Sequence, residues 1–417
     1  MSDSDIGHVI ALQCVQCGKE HRPDPGLYTC SSCQGNLDIL YDYDAIGSRL
    51  SREGLMADPD RSIWHYRALL PIAGISLVPP LFVGWTPIYS LLKLASEYGV
   101  KELLIKDDGR NPTASFKDRP SALAVVKALE VGAQAITTAS SGNAGAALAG
   151  MCAAVGLKSF IFVPATAPEA KVAQLLIYGA HVLLVEGSYD EAYELCLEAS
   201  RRFGWYQRNT GYNPYMTEGK KTAALEICEQ LQWQAPGKVI VSMGDGCIIG
   251  GLWKGFLDFH RLGFIDRLPQ MIGVQAEGAA PLVAALSSGE LKQTSATTIA
   301  DSICVGKPRD AVKALRAMHD SGGLGLTVKD EEILHALSKL ARDTGIFAEP
   351  AAAAAYAGFL KLAESGGLES DERLLVMITG NGLKDIPAAR RVAREPMSTK
   401  PELGGLENLL RQNALIA

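Results

Sequence analysis

A lysine in this chain stands where a turn leads into a helical pattern, a place that suits nucleophilic chemistry. The run Asp107-Asp-Gly-Arg-Asn-Pro-Thr-Ala-Ser-Phe-Lys117-Asp-Arg119 follows an apolar stretch of strand length and precedes residues at helical spacing. The dipole at a helix N-terminus disfavours a positive group, so Lys117 in a first helical turn is pushed toward its neutral, nucleophilic form. The alternative is a solvated lysine flanked by Asp118 and Arg119, and these residues alone favour it.

A second turn collects groups that bind anions. The run Thr137-Thr-Ala-Ser140-Ser141-Gly142-Asn143-Ala144-Gly145 lies between a strand pattern and a helix of small residues. Successive backbone N–H groups and two hydroxyls at a helix N-terminus can hold a carboxylate or a phosphate. The side chain of Asn143 can donate to a bound ring. A tight turn with one capping serine explains part of the run, but not all of it.

Two further strand ends carry glycines beside polar groups. The third turn lies between a strand and a helix, and its glycines would let a phosphate approach backbone N–H groups. It consists of Gly244, Asp245, Gly246, Cys247 and Ile248. Its spacing is not G-x-G-x-x-G, so a nicotinamide cofactor is a weak interpretation. In the fourth turn Thr379 offers a hydroxyl to a ring nitrogen, although alone this turn would be interpreted as an ordinary strand-to-helix connection.

Four of the nine cysteines form two C-x-x-C pairs near the start of the chain, at Cys14, Cys17, Cys30 and Cys33. This spacing is typical of a zinc ribbon, in which four thiolates hold one tetrahedral ion and leave no position open for water. The metal would therefore be structural. A ribbon that folds without metal, or a reducible thiol cluster, is the alternative. The other five cysteines are single and are interpreted as buried thiols.

Composition limits the classes of function. A length of 417 residues fits two α/β domains with a small attachment, and 47% hydrophobic and 21% charged residues indicate a folded protein. A net charge of −6 gives no reason to bind nucleic acid. The acidic start, Met1–Asp5, lacks the pattern of a secretion signal, and the apolar run 144–157 is too short and too rich in Gly and Ala for a membrane span. We expect a cytoplasmic protein.

Alternating elements predict parallel sheets from about residue 46 onward. Apolar runs of strand length are separated mostly by helical patterns. The predicted strands are Leu103–Lys106, Ile136–Ala139, Ser159–Val163, Val182–Val185, Val239–Met243, Met271–Gln275 and Leu374–Thr379. In open α/β sheets ligands bind where such strands end in turns, so the functional residues should lie there. After residue 395, leucines at helical spacing predict a tail helix that docks on the protein.

Together these turns resemble the fold-type-II pyridoxal-phosphate enzymes, and among them the threonine synthases. The run Asn111-Pro-Thr-Ala-Ser-Phe-Lys-Asp-Arg119 is similar to the cofactor-lysine motif of that family, which has Gly where Ala114 stands. Further similar segments follow in family order over about residues 60–390. They are Trp64–Pro71, Gly84–Ile88, Glu218–Ala224, Gln275–Pro281, Glu349–Ala351 and Thr379–Asp385.

The resemblance implies a fold, a division into domains and a homodimer. The fold would be two open parallel-sheet domains of the tryptophan synthase β kind, with the zinc-ribbon-like element in front. The ribbon would occupy residues 1–45 and the tail helix 396–417. The larger cofactor-binding domain would combine 46–130 with 215–395. The smaller, mobile domain would be 131–214 and would carry the Ser-Ser-Gly-Asn turn.

The resemblance also implies roles for residues. Lys117 would carry pyridoxal phosphate as a Schiff base and move protons, Asn143 would bond the ring 3′-oxygen, and Thr379 would meet the ring nitrogen. Residues 244–248 would hold the cofactor phosphate. Ser140, Ser141, Gly142 and neighbouring N–H groups would hold the carboxylate of an amino-acid substrate. The reaction would convert O-phospho-L-homoserine and water to L-threonine and phosphate.

Two departures from the family pattern bear on the phosphate groups, the first on that of the cofactor and the second on that of the substrate. The turn at 244–248 differs from the usual Gly-Asn-Ala-Gly-Asn form, and Met216 stands where an arginine is expected to hold the substrate phosphate. Lys220 and Lys221 are candidate substitutes. The loss of the arginine keeps open a second hypothesis, a threonine or serine ammonia-lyase or a replacement enzyme on a substrate without phosphate. A third hypothesis, of another class, is an inactive zinc-ribbon binding protein on the same scaffold.

Overall fold

Three sheets organise residues 8–74 and 76–416, which this computed structural model describes; the acidic start, Met1–Asp5, lies outside them. The sheets have the strand orders β2-β1-β3, β12-β11-β10-β13-β5-β4 and β8-β7-β6-β9. The strands are β1 (Val9–Cys14), β2 (Glu20–His21), β3 (Leu37–Tyr41), β4 (Ile88–Ser90), β5 (Glu102–Asp107), β6 (Ala135–Ala139), β7 (Lys158–Pro164), β8 (His181–Val185), β9 (Tyr206–Gln207), β10 (Lys238–Ser242), β11 (Gln270–Ala276), β12 (Leu324–Val328) and β13 (Arg373–Ile378).

Helices cover the two larger sheets and connect most of their strands. They are α1 (Tyr43–Gly47), α2 (Arg52–Ala57), α3 (Leu92–Glu97), α4 (Asp118–Glu130), α5 (Asn143–Val155), α6 (Glu169–Leu176), α7 (Tyr189–Phe203), α8 (Tyr215–Gln230), α9 (Cys247–Arg261), α10 (Pro281–Ser288), α11 (Ala311–Asp320), α12 (Asp330–Thr344), α13 (Pro350–Glu364), α14 (Ile386–Arg390) and α15 (Leu403–Gln412). Five short 3₁₀ segments complete the described elements, at 63–69, 108–110, 277–279, 301–303 and 382–384.

The six-stranded sheet is parallel except for β4, which runs antiparallel to β5. Its central strands β10 and β13 are almost entirely buried, as their continuous Val, Ile and Leu content requires in a sheet covered on both faces. All seven strands predicted from apolar runs are confirmed. The strands that the pattern did not predict are short or partly exposed, as in β12, where only Val328 is buried.

The four-stranded sheet is parallel throughout. Its central strand β6 is fully buried, whereas the edge strand β8 has no buried residue. The small residues of α5 let that helix pack closely against α4 and β7, which confirms a buried helix in the apolar run 144–157. No helix in the described part of the chain is long and apolar enough to cross a membrane.

The N-terminal sheet is antiparallel and docks onto the helices beside the six-stranded sheet. Lys254 of α9 pairs with Asp38 at 2.7 Å, and Tyr41 donates to Glu218 of α8 at 2.6 Å. Near the cavity described below, the Asn36 amide donates to the Arg309 carbonyl at 2.6 Å. The cysteine-bearing segment is therefore tied to the helices that support the larger sheet.

The tail forms the predicted helix α15, but its docking is not observed. None of its residues is buried against the described chain, and Leu403 is 72% exposed. The strands of the six-stranded sheet, β4, β5 and β10–β13, lie within 46–130 and 215–395, and those of the four-stranded sheet, β6–β9, lie within 131–214. The domain boundaries themselves stay a prediction.

Candidate active site

A cavity of about 610 Å³ lies where strands of the two larger sheets end. All four polar turns reach it, although they are far apart in the sequence. Its lining includes Lys117, Ser140, Ser141, Gly142, Asn143, Gly244, Asp245, Gly246, Cys247, Ile248 and Thr379. The carboxyl ends of parallel strands place these side chains and backbone groups around one space, as open α/β sheets do for their ligands.

Lys117 occupies the N-cap position of α4, one residue before the first helical turn in which the sequence predicted it. Its side chain borders the cavity, so it keeps some exposure although protein surrounds it. Burial lowers the pKa of Lys117 and the charge of Arg208 lowers it further, against the opposing effects of Cys247, Asp245 and Glu349. The amine is thus biased toward its neutral, nucleophilic form, with burial as the main cause.

The loop before Lys117 is held in place by hydrogen bonds at both ends. Thr113 donates to the Asp118 carboxylate through its amide at 2.8 Å and its hydroxyl at 2.5 Å. The Phe116 amide donates to the Thr379 carbonyl at 2.9 Å, and the Asn381 amide donates to the Ala114 carbonyl at 3.1 Å. The lysine loop and the Thr379 turn therefore form one bonded unit.

Asp118 and Arg119 are both fully buried, so the alternative of a solvated lysine between two surface charges is wrong. Arg119 pairs with Asp108 at 2.6 Å and with Glu226 of α8 at 2.5 Å, and Glu226 also accepts from Lys106 at 2.8 Å. Removing one partner of such a buried network leaves an uncompensated charge, at a cost of about 3–5 kcal/mol. The Arg119 end of the motif therefore serves to fix the lysine loop.

The serine turn opens α5, and Asn143 is the first residue of that helix. The hydroxyl of Ser140 accepts from the Gly142 amide at 3.2 Å, while the amide of Asn143 donates to the Glu349 carboxylate at 2.7 Å. Ser140, Ser141 and Gly142 are half-buried and face the cavity. Glu349 lies before α13, so this hydrogen bond joins the small-sheet and large-sheet sides of the cavity.

The glycine turn opens α9 with Gly246 in the left-handed region at φ +85°, where an added Cβ would lie 2.5 Å from that of Ala314. The Asp245 carboxylate accepts from the Arg309 amide at 3.0 Å, so it braces the turn. The N-terminus of α9 then faces the cavity with Cys247 as its first residue. Such a helix start favours an anion.

Lys220 and Met216 do not line the cavity, so the structure does not bring Lys220 together with the other predicted site residues. Both lie buried on α8, where the Lys220 ammonium donates to the Met216 carbonyl at 3.0 Å. Burial lowers the pKa of Lys220 to about 7; the charge of Arg208 lowers it further, while Cys247 opposes the shift. Any influence of Lys220 on a ligand is electrostatic in this arrangement.

Among the charged residues of the cavity that sequence reasoning missed, Arg208 and Glu349 are the buried ones. Burial raises the pKa of Glu349, which favours its neutral form, while the charge of Lys384 and the bond from Asn143 oppose that shift. Glu349 belongs to the segment Glu349–Ala351, which carries part of the family resemblance, so the sequence did contain a signal that could have identified it as a site residue. Arg208 follows the two-residue strand β9, which no apolar run indicated.

The four N-terminal cysteines lie together, with all their sulfur atoms within 4.8 Å of one another. Cys14 and Cys33 approach to 3.4 Å, and Cys17 and Cys30 to 3.7 Å. Four thiolates about 2.3 Å from one tetrahedral zinc ion would be roughly 3.8 Å apart. The donor set and its spacing fit zinc, and none of the four cysteines lines the cavity.

Known proteins are similar to this chain over most of its length. The model of the family described as pyridoxal-phosphate dependent enzyme matches residues 80–380. The threonine synthase of Methanocaldococcus jannaschii is 41% identical over 404 residues, which covers 96% of this chain and 99% of the relative. The threonine synthase of Methanosarcina acetivorans is 40% identical over 389 residues, which covers 92% and 95%.

Solved structures show the same fold at low sequence identity. The processed form of threonine deaminase isoform 2 from Solanum lycopersicum has a TM-score of 0.64 at 22% identity and covers 89% of this chain and 98% of its own. Diaminopropionate ammonia lyase from Escherichia coli has a TM-score of 0.65 at 21% identity and covers 80% and 93%. At this identity the likeness establishes the fold alone, which confirms the α/β architecture predicted from the sequence.

Proposed function

We infer that this chain, which belongs to the pyridoxal-phosphate-dependent enzymes and within them to the threonine synthases, converts O-phospho-L-homoserine and water to L-threonine and phosphate. It is a lyase of the pyridoxal-phosphate class. One observation carries the proposal: the similarity to threonine synthases extends over 96% of this chain, and so includes the cysteine-bearing segment as well as the cavity. The resemblance of the cofactor-lysine motif agrees with it.

The cavity fits pyridoxal phosphate by the chemistry of its donors. Lys117 offers an amine of lowered pKa, Thr379 a hydroxyl, and the turn at 244–248 the start of a helix. We propose that these groups bind the cofactor's aldehyde carbon, ring nitrogen and phosphate, and that Asn143 bonds the ring 3′-oxygen. The Asn143 amide donates to Glu349 in this structure, so that bond would change or be shared when the cofactor binds. The Lys117 amine, the Thr379 hydroxyl and the turn at 244–248 have donors or lone pairs without a hydrogen-bond partner among the described residues.

The residues divide the reaction between them. Ser140, Ser141 and Gly142 bind the substrate carboxylate at the start of α5, which orients the amino acid over the cofactor. When bound, pyridoxal phosphate withdraws electron density from the substrate carbons. Lys117 removes and returns protons on those carbons as the γ carbon–oxygen bond breaks and phosphate leaves. Water then supplies the hydroxyl and hydrogen that complete threonine.

A product assay on purified holoenzyme tests this proposal. We expect equal amounts of inorganic phosphate and threonine from O-phospho-L-homoserine. Release of ammonia and 2-oxobutanoate from threonine, without phosphate release from the phosphoester, would instead support the ammonia-lyase, a hypothesis that Met216 keeps open. If neither reaction occurs and no cofactor binds, the chain is an inactive binding protein.

We also propose that Cys14, Cys17, Cys30 and Cys33 hold one structural zinc ion. The spacing of their sulfur atoms supports this role. Metal analysis should find one zinc per chain, and Cys17→Ser should lose it together with thermal stability. Cys152→Ser is the control, because that thiol is single and buried in α5. A protein that holds no zinc and loses no more stability in Cys17→Ser than in the control would contradict the proposal.

The remaining expectations concern the assembly and the location of the protein. We propose a cytoplasmic homodimer that acts on a free amino acid, as the family resemblance implies. Light scattering at micromolar concentration should give twice the chain mass of 44.4 kDa. A mass equal to one chain under the assay conditions would contradict the dimer and leave the reaction unaffected.

A further inference from the structure

Arg208 is an unusual arginine, because it is fully buried and still borders the cavity. It follows strand β9, and its backbone amide donates to the Thr137 carbonyl of β6 at 2.9 Å. Its Nε donates to the Ser121 hydroxyl of α4 at 3.1 Å. The backbone of Arg208 is thus tied to the small sheet, and its guanidinium to helix α4.

The rest of the guanidinium has no partner among the described residues. Neither terminal nitrogen donates a hydrogen bond within that part of the chain, and Nη2 is a buried atom without any partner. No carboxylate of the described residues forms an ion pair with Arg208, whereas Arg119 on α4 has two such pairs. A buried charge without a counterion is costly, so its presence beside a cavity indicates an anionic ligand.

Arg208 and the glycine turn at 244–248 line the same cavity. Burial lowers the pKa of Arg208 to about 10, and Cys247 at the start of α9 is the largest opposing influence. The guanidinium remains positive at neutral pH. Its fork of donors matches a phosphate, which is the group that the missing arginine at Met216 was expected to bind.

We propose that Arg208 is a phosphate-binding residue of this cavity and supplies the guanidinium that the chain lacks at position 216. This inference rests on the proposed function, which brings two phosphates to the cavity, one on the cofactor and one on the substrate. Both have the chemistry that the free guanidinium nitrogens recognise. The structure thereby assigns phosphate specificity to the end of β9 rather than to α8.

Arg208→Gln tests the proposal by removing the charge and keeping a polar side chain of similar reach. Arg201→Gln, on the exposed surface of α7, is the matched control. Three affinities are measured for each protein: that of the apoenzyme for pyridoxal phosphate, that of the apoenzyme for pyridoxal, and that of the holoenzyme for inorganic phosphate by calorimetry. Loss of charge-assisted hydrogen bonds should weaken one of the phosphate affinities by about 10- to 100-fold.

The pattern of losses identifies the phosphate. If Arg208 binds the cofactor, Arg208→Gln weakens pyridoxal phosphate and leaves pyridoxal unchanged. If it binds the substrate, holoenzyme affinity for inorganic phosphate falls and the KM for O-phospho-L-homoserine rises, while cofactor affinity is kept. If both phosphate affinities remain within twofold of those of Arg201→Gln, the proposal is overturned.

The binding measurements do not depend on the proposed reaction. If the wild-type protein fails to form threonine, the cofactor and inorganic-phosphate titrations still decide whether Arg208 binds phosphate. If Arg208→Gln does not fold, Arg208→Lys keeps the charge but not the fork, and a normal thermal transition with phosphate affinity weakened several-fold supports the proposal. The proposal is overturned if Arg208→Lys and Arg208→Met both fold and both keep the phosphate affinities of the wild-type protein.

Discussion

The two sides of the cavity differ in how firmly they are built. On the large-sheet side, the lysine loop is bonded to the Thr379 turn, and the buried pairs of Arg119 lie beneath it. On the small-sheet side, the edge strand β8 has no buried residue, and helix α6 buries only Leu175. The groups proposed to hold the cofactor thus lie mainly on the firm side, and those proposed for the substrate on the loose side.

This difference suggests how binding and movement are divided. A side with few buried apolar contacts can shift at low cost, whereas a densely bonded side keeps its groups in place. The bond from Asn143 to Glu349 and the pair of Lys171 with Asp301 join the sides. We infer that the small-sheet side closes over the substrate while the cofactor groups stay fixed. Four substitutions test whether the large-sheet side holds the cofactor and the small-sheet side holds the substrate.

Lys117→Ala should have the largest effect. It removes the amine proposed both to hold the cofactor and to move protons, so turnover should fall by roughly 10³-fold or more. Absorbance of the bound cofactor and mass analysis after borohydride reduction measure the attachment. Lys101→Ala, which removes an exposed lysine, should leave both unchanged. Full cofactor attachment and turnover in Lys117→Ala would refute the site.

Gly246→Ala should weaken the cofactor on the firm side. The residue has φ +85°, and an added Cβ would meet Ala314 at 2.5 Å, so the turn must shift. We expect about a 10- to 100-fold loss of affinity for pyridoxal phosphate, measured by titration of the apoenzyme. Gly132→Ala is the control, since Gly132 also has positive φ but lies beside open space far from the cavity lining. Equal cofactor affinity in the two variants would show that the turn does not hold the phosphate.

Ser141→Ala should affect the substrate and spare the cofactor. It removes one hydroxyl from the loose side of the cavity, where the substrate carboxylate is proposed to bind, so the KM should rise about tenfold. Cofactor affinity should stay within twofold of wild type, in contrast to Gly246→Ala. Ser48→Ala, at the exposed end of α1, is the control. A loss of cofactor affinity in Ser141→Ala would show that the small-sheet side also holds the cofactor, and the two sides would then not differ in the ligand that they bind.

The sequence predicted the two sides unequally, for physical reasons. Continuous apolar runs identified β10 and β13 because strands covered on both faces must be apolar throughout. The glycine and serine turns were visible because backbone conformation and anion binding restrict residue type. Arg208 was not, because its isolation results from packing between distant segments, and the two-residue strand β9 leaves no periodic pattern. Likewise, helical spacing correctly predicted the helix α15, but the docking expected of it is not observed on the described residues.

Ala114→Gly should have the smallest effect and the opposite sign, because it relieves strain on the firm side. Ala114 has φ +63°, a left-handed conformation that costs a non-glycine residue about 1–2 kcal/mol. Glycine loses about 0.4–1 kcal/mol more on folding, so the free energy of unfolding should rise by up to about 1.6 kcal/mol. Thermal unfolding should show a Tm increase of roughly 1–3 °C.

The control for that measurement is Ala173→Gly on the loose side, an exposed position within helix α6. There the same change should destabilise by about 1 kcal/mol, because glycine is unfavourable in a helix interior. If Ala114→Gly were destabilising as well, Ala114 would not be strained in its left-handed conformation. Stabilisation would mean that the firm side of the cavity keeps a strained residue beside Lys117, which a loosely packed side could not do.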